Sequence, residues 1–340
     1  MKINSIIFIL SFILLFSCAT VETKVNPEIS SIEIDENKKF LTYLENDWQK
    51  TLDDNPLFAS YTGDKRNNNK ISSNDIDNFN KGKKSDEQSL KLLKSIDISK
   101  LSEENKLNYK LKEFDLLSSI GTKDFPTYYL RLNQRGGIQS FYETGNRLVY
   151  TSKQDYFDWL NRLKQFETNI YNALEINKEG LLNGHTQPKL VTRGVIAQLK
   201  SIIESDIDSN PYMKVFLDAD DSLLTKDEKA NLINEAKELI QNKINPAYEK
   251  LFNFLKDDYL PNSRDSIGIK DIPNGKEYYK FLAKFYTTTD LTPEDIHNIG
   301  LKEIKRIRME MEQIITQVNW DGDFNSFLNY LRTRDRKSVV

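Results

Sequence analysis

Apolar residues recur at helical spacing through most of this chain. Phe40, Tyr43, Leu44, Trp48 and Leu52 fall at i, i+3, i+4, i+8 and i+12, one stripe of a helix that Asn55-Pro56 ends. Residues 61–84 are rich in Asn, Gly, Ser and Lys and lack a period, so a loop is expected there. Its Lys65-Arg66 and Lys83-Lys84 pairs are expected to be solvated surface. Helices are predicted over 85–96 and 102–120; the second opens on Ser102-Glu103-Glu104-Asn105, polar capping residues ahead of Leu107, Leu111, Phe114 and Leu117. Residues 125–150 are aromatic and glycine-punctuated without a helical period, which predicts a long ordered loop with short strands.

Helical spacing returns over 152–178 through Tyr156, Trp159, Leu160, Leu163, Phe166, Ile170 and Leu174, and Gly180 and Gly184 close it with a turn. A helix is predicted over 190–207. Thr225-Lys226-Asp227-Glu228 is a capping box at the head of a long apolar-periodic segment that Pro246 should kink or divide. A short helix follows over 275–286. Thr292-Pro293-Glu294-Asp295 then combines a threonine cap, proline in the first turn and acids at the positive end of the dipole, and starts a helix to about Val318. The fold class is therefore mainly α, a multi-helix bundle with one long irregular region. Thirteen glycines and nine prolines in 340 residues are too sparse for a turn-dense β-sandwich.

The N-terminus predicts an address. Met1-Lys2 is basic, residues 6–16 are apolar apart from Ser11, and Leu15-Phe16-Ser17-Cys18 closes the stretch. It is shorter than the roughly 20 residues of a spanning helix. Cysteine after Leu-x-Ser is the bacterial lipobox pattern, so residues 1–17 are expected to be a lipoprotein signal peptide and Cys18 the acylated N-terminus, a membrane partner through its lipid. The alternative is a plain signal peptide with an incidental cysteine. Ala19 in place of an aspartate favours outer-membrane retention, facing the periplasm. Residues 18–38 are expected to be a polar tether and residues 39–333 an α-helical domain.

Charge and chemistry narrow the function by exclusion. Charged residues are 29% and net charge is −3, so no basic footprint argues for nucleic acid. Cys18 is the sole cysteine and excludes an internal disulfide. There are two histidines, His185 and His297, no His-Glu-x-x-His, no Gly-x-Ser-x-Gly and no phosphate-binding glycine loop, so neither catalytic nor metal residues are expected in these 340. Asp220-Asp221 and Asp257-Asp258 are expected at the surface. His185 follows Gly184 in a turn and is expected to be exposed. His297 shares a helix face with Leu301, Ile304, Met311 and Ile315 near a helix N-terminus, which disfavours the imidazolium. It is either a core histidine with one hydrogen bond or a substrate-binding residue.

Several segments together resemble one family. They are Asp155-Tyr156, Trp159-Leu160 and Arg162-Leu163; Gly180, Gly184 and Pro188; Pro246-Ala247-Tyr248; Tyr259-Leu260-Pro261; Gly268; and the stretch from Pro273-Asn274-Gly275-Lys276-Glu277-Tyr278-Tyr279 through Tyr286-Thr287-Thr288-Thr289 and Leu291-Thr292-Pro293-Glu294-Asp295-Ile296-His297 to Gly300-Leu301. In order and spacing, from about Phe40 to Thr333, this resembles the bacterial domain of unknown function 885 family, many of them exported lipoproteins. The resemblance implies helical walls of a deep cleft, related to zinc metallopeptidases, and a peptide substrate. It implies zinc in a full-length parent, bound by a His-Glu-x-x-Pro-Gly-His-like segment downstream of the matched region; no such residue can be carried over to this sequence, and no cofactor is expected in this chain. Tyr286 and His297 are the candidate substrate-binding residues.

The C-terminus departs from that pattern after Leu331-Arg332-Thr333, where the family continues into Asp-Pro. Asp335 to Val340 can be encoded by GATCGGAAGAGCGTCGTG, the start of a common sequencing adapter with the stop TAG next. Residues 334–340 are thus expected to be adapter-derived and the chain an inactive N-terminal portion of a hydrolase. The alternative is a complete, non-enzymatic lipoprotein that binds peptide or a protein partner.

Overall fold

A computed structural model describes residues 35–334. Cys18, the signal peptide, the tether up to 34 and the tail from 335 lie outside the described residues. Among those described, helices α1 (Glu36–Asp54), α2 (Pro56–Tyr61), α3 (Ile76–Lys94), α4 (Glu103–Thr122), α5 (Tyr142–Arg147), α6 (Lys153–Leu182), α7 (Lys189–Ile203), α8 (Lys214–Leu217), α9 (Lys226–Leu239), α10 (Asn245–Phe254), α11 (Leu260–Asn262), α12 (Gly275–Thr287), α13 (Pro293–Gln317) and α14 (Phe324–Arg334) follow one another, and no strand occurs.

The caps sit where the sequence predicts them. Ser102 accepts from the Asn105 amide, and Thr225–Glu228 and Thr292–Asp295 each close a reciprocal capping box. Three boundaries differ. The domain's first helix starts at Glu36, three residues inside the expected tether. Helix α3 begins at Ile76 rather than 85, because Asp75 accepts from the Asn78 amide and caps a polar first turn. The irregular region over 125–150 contains 3₁₀ turns and α5 rather than strands.

The larger core gathers around α6. Trp159, Leu160, Leu163, Phe166 and Ile170 are essentially inaccessible and pack with Val195 and Leu199 of α7 and with Leu232, Ala236, Ile240, Tyr248 and Leu251 of the α9–α10 run. Phe141, from the irregular region, stacks on Phe166 at 4.2 Å and on Trp159 at 5.4 Å. A second cluster joins Phe40 and Tyr43 of α1 to Leu93 of α3 and Tyr109 and Leu116 of α4.

Pro246 neither divides nor stops its helix. A π-turn at Ile240–Ile244 precedes it, and a second at Leu255–Tyr259 precedes Pro261. The widened turns take up the carbonyls that each proline, without an N–H and with a bulky ring, leaves unserved. Residues 226–262 thereby run as one helical rod along the core.

The polar side of α6 is occupied as well. Asp155, Asp158, Arg162, Gln165, Asn169 and Asn172 recur at i, i+3, i+7, i+10, i+14 and i+17, and bind successive residues of the loop over 62–75. Asp155 takes Lys65 at 2.6 Å, Asp158 takes Asn68, and Gln165 donates to the Asn69 carbonyl. Arg162, fully buried, donates to the carbonyls of Lys70 and Pro56 and to Ser60 Oγ. Asn169 and Asn172 reach Ser72 and Ser73. Lys65 is exposed, as expected of a solvated surface, and is also the ion-pair partner of a buried carboxylate. Burial disfavours the Asp155 carboxylate, but hydrogen bonds from Lys65, the Thr151 amide and Ser152 prevail and hold its pKa below the usual range.

Candidate functional site

Three places in the described domain gather chemistry. The first is a cavity of about 400 Å³ between the irregular region, α5 and α6. Arg131, Arg135, Gly136 and Gly137 line it from the irregular region, Glu143 and Arg147 from α5, and Asn177 from α6, with Asn74 from the end of the α6-bound loop. Arg147 pairs with Glu143 at 2.6 Å. Arg131 is exposed and lies over the Phe79 ring, 5.6 Å from its centroid. No carboxylate lies within ion-pair distance of Arg131 or Arg135 among the described residues, so the cavity is net cationic.

The second place is the cluster around His185. The sequence predicts an exposed loop residue; the structure buries it at 8% exposure. Gly184, at φ +75°, turns the chain inward, the His185 amide donates to the Gly180 carbonyl at 2.8 Å, and the ring lies 5.2 Å from that of Tyr129. Arg264 clamps the same turn by donating to the Thr186 carbonyl at 2.9 Å. His185 Nδ1 sits 3.2 Å from the Asn183 carbonyl, which makes Nδ1 the protonated nitrogen and leaves Nε2 a buried acceptor without a partner. Burial pushes the His185 pKa below its usual value, and the Asn183 carbonyl only partly offsets it. The unfolded chain therefore binds this proton more readily than the folded one. Stability is expected to be level above about pH 6.5 and to fall as pH drops below it, towards the depressed folded pKa. Urea unfolding of wild type and His185→Gln from pH 7.5 to 5 checks this: the slope should flatten in the variant over the upper part of that range.

The third place is the surface of α12 and α13, which carries both substrate-binding candidates. Tyr286 is 77% exposed, its ring edge-on to Phe285, and Phe285 stacks on Phe114 of α4. His297 is exposed on α13 and not packed in a core. Of the face it shares, Leu301 and Ile304 are exposed, Ile304 at 67%, and Met311 and Ile315 are half-buried; Ile307 and Ile314, to one side of it, are exposed as well. Nothing joins Tyr286 or His297 to the cavity or to His185 by a hydrogen bond.

These residues do not fit a zinc ion. No group of three His, Cys, Asp or Glu among the described residues could hold a metal. One histidine is locked in a buried turn with a single free lone pair, and the other is alone on a helix surface.

Sequence reading missed the cavity. Its one signal was charge: between Asp124 and Glu143 there is no acidic residue, while Arg131 and Arg135 both fall there.

Over residues 56–339 the chain matches the family described as bacterial protein of unknown function (DUF885). The chain belongs to this family. Its helices are also similar to those of a Colwellia psychrerythraea protein solved by crystallography and described as a candidate lipoprotein. The TM-score is 0.74 at 20% identity, covering 89% of this chain and 55% of that one. This chain thus spans about half the length of that relative, and the likeness establishes the family fold alone. No match was found among curated proteins. No described helix is long and apolar enough to cross a membrane.

Proposed function

We propose that this member of the DUF885 family forms substrate-facing helical walls of an exported zinc-metallopeptidase-like hydrolase that acts on peptides, with the metal ligands on a segment downstream of Thr333. The observation that carries the proposal is the open apolar face of α13 beside Tyr286 and His297. A 25-residue amphipathic helix with no buried residue is a face made to be covered or to bind. Cys18 anchors the protein in the outer membrane through its lipid, facing the periplasm.

The test extends the reading frame from intact genomic DNA past codon 333 and compares the extended protein with the present chain on a peptide mixture. The extended protein is expected to cleave, to lose activity to a chelator and to regain it with zinc, while the present chain is inactive. Ile304→Glu, at an exposed position, should change the present chain's stability by less than about 0.5 kcal/mol. In the extended protein it should lower turnover or folding sharply. A genuine stop after Val340, with peptide binding and no hydrolysis, would replace this proposal by that of a peptide-binding lipoprotein.

A further inference from the structure

We infer that the cavity between the irregular region, α5 and α6 is a binding site for a small carboxylate whose neighbouring atom is an amide N–H, the chemistry of an N-acyl amino acid or a peptide C-terminus. Three observations meet there. The volume, about 400 Å³, falls in the range of ligand pockets and exceeds what one or two waters need. Its charge is cationic in a chain whose net charge is −3: Arg131, Arg135 and Arg147 face one acid, Glu143, which Arg147 already holds. The Phe79 ring supports the Arg131 guanidinium and leaves its N–H edge free, an arrangement suited to a planar carboxylate.

The asparagines supply the other half of the recognition. Asn177 is 3% exposed and donates Nδ2 to the Ala173 carbonyl at 2.7 Å; Asn74 donates Nδ2 to the Asn169 carbonyl at 2.9 Å. Each amide nitrogen is committed to a carbonyl of α6, so neither side chain can flip, and each Oδ1 is left as a buried acceptor with no partner. Asn74 and Asn177 line the same cavity as the arginines, and their covered, unpaired oxygens, once a ligand displaces the atoms over them, would accept the N–H of a molecule that presents a carboxylate and an N–H together. A bare anion answers only half of this, and Glu143 selects against highly charged ones. The site is independent of the hydrolase proposal, because capture is read by direct binding without turnover.

Isothermal titration of the purified chain with N-acetylalanine tests it, beside N-acetylalaninamide, propanoate and inorganic phosphate. Binding is expected for N-acetylalanine and to be at least tenfold weaker for the amide, which lacks the carboxylate, and for propanoate, which lacks the N–H. Arg131→Gln with Arg135→Gln, both exposed positions that leave the fold intact by circular dichroism, should weaken N-acetylalanine at least tenfold. Asn177→Asp, which puts a negative charge in the lining and takes the Nδ2 donor from the Ala173 carbonyl, should do the same, and Asn74→Ala, which leaves the sequence of α6 unchanged, should also weaken N-acetylalanine. Equal affinity for the amide, undiminished binding by the arginine pair variant, or tighter binding of phosphate would each overturn the assignment.

Discussion

Arg162→Ala is expected to be among the most damaging single substitutions in this chain. Its guanidinium is inaccessible and has no carboxylate partner; its three bonds run to the Lys70 and Pro56 carbonyls and to Ser60 Oγ, and Nη1 has none. Burying a cation costs several kcal/mol, which argues that losing it could help. The opposing effect is larger at this position. Charge-assisted bonds contribute roughly 1.5–3 kcal/mol each, the acceptors left behind stay buried, and alanine adds a cavity. The net expectation is a loss of about 3–5 kcal/mol in urea unfolding. Arg162→Lys keeps the charge but loses the fork and should recover less than half of that loss. Hydrogen exchange separates this from a general loosening. Residues 56–75, which Arg162 fixes on α6, should lose protection first, while the α9–α10 rod keeps it. Uniform loss across both would show that Arg162 supports the core generally and not this loop.

Gly275→Ala should cost about 2–3 kcal/mol, although alanine is the better helix former. A Cβ there would lie 1.9 Å from the Ile269 carbonyl oxygen and 2.9 Å from its carbon, both backbone atoms that cannot rotate aside. The 3₁₀ turn Ile269–Asp271 and the first turn of α12 would have to part, an overpacking penalty. Because Phe281 and Phe285 of α12 pack against Gly121 and Phe114 of α4, separation at Gly275 should also raise hydrogen exchange in α12. Gly300, inside α13, is the internal control. Nothing lies within 4 Å of its Cβ position, so Gly300→Ala should stabilise by about 0.5–1 kcal/mol. If the two substitutions moved stability in the same direction, helix propensity and not the Ile269 contact would govern Gly275.

The contrast between those glycines shows what a linear reading can reach. Both sit in predicted helices and look alike in sequence. The helix starts at Ser102, Thr225 and Thr292 were legible because a cap is a bond between residues three apart, written in adjacent letters. The apolar stripe of α6 was legible for the same reason. Its polar stripe at Asp155, Asp158, Arg162, Gln165, Asn169 and Asn172 has equal periodicity and reads as a solvated face, because the partners that dehydrate it lie about 90 residues earlier. His185 failed in the same way: Gly184 announces a turn, but whether a turn faces water or Tyr129 depends on what packs over it.

By itself, then, the sequence determined the longer helices, the caps at Ser102, Thr225 and Thr292, the apolar stripe of α6 and the family, all set by local periodicity or by the order of short motifs along one chain. Tertiary structure alone decided that the asparagine-rich loop is bonded along α6, that Pro246 is absorbed by a π-turn, that His185 is buried and neutral, and that Arg131, Arg135, Asn74 and Asn177 share one cavity. Each of those depends on the dielectric surroundings and hydrogen-bond partners of a side chain, and these are supplied by residues far away in sequence.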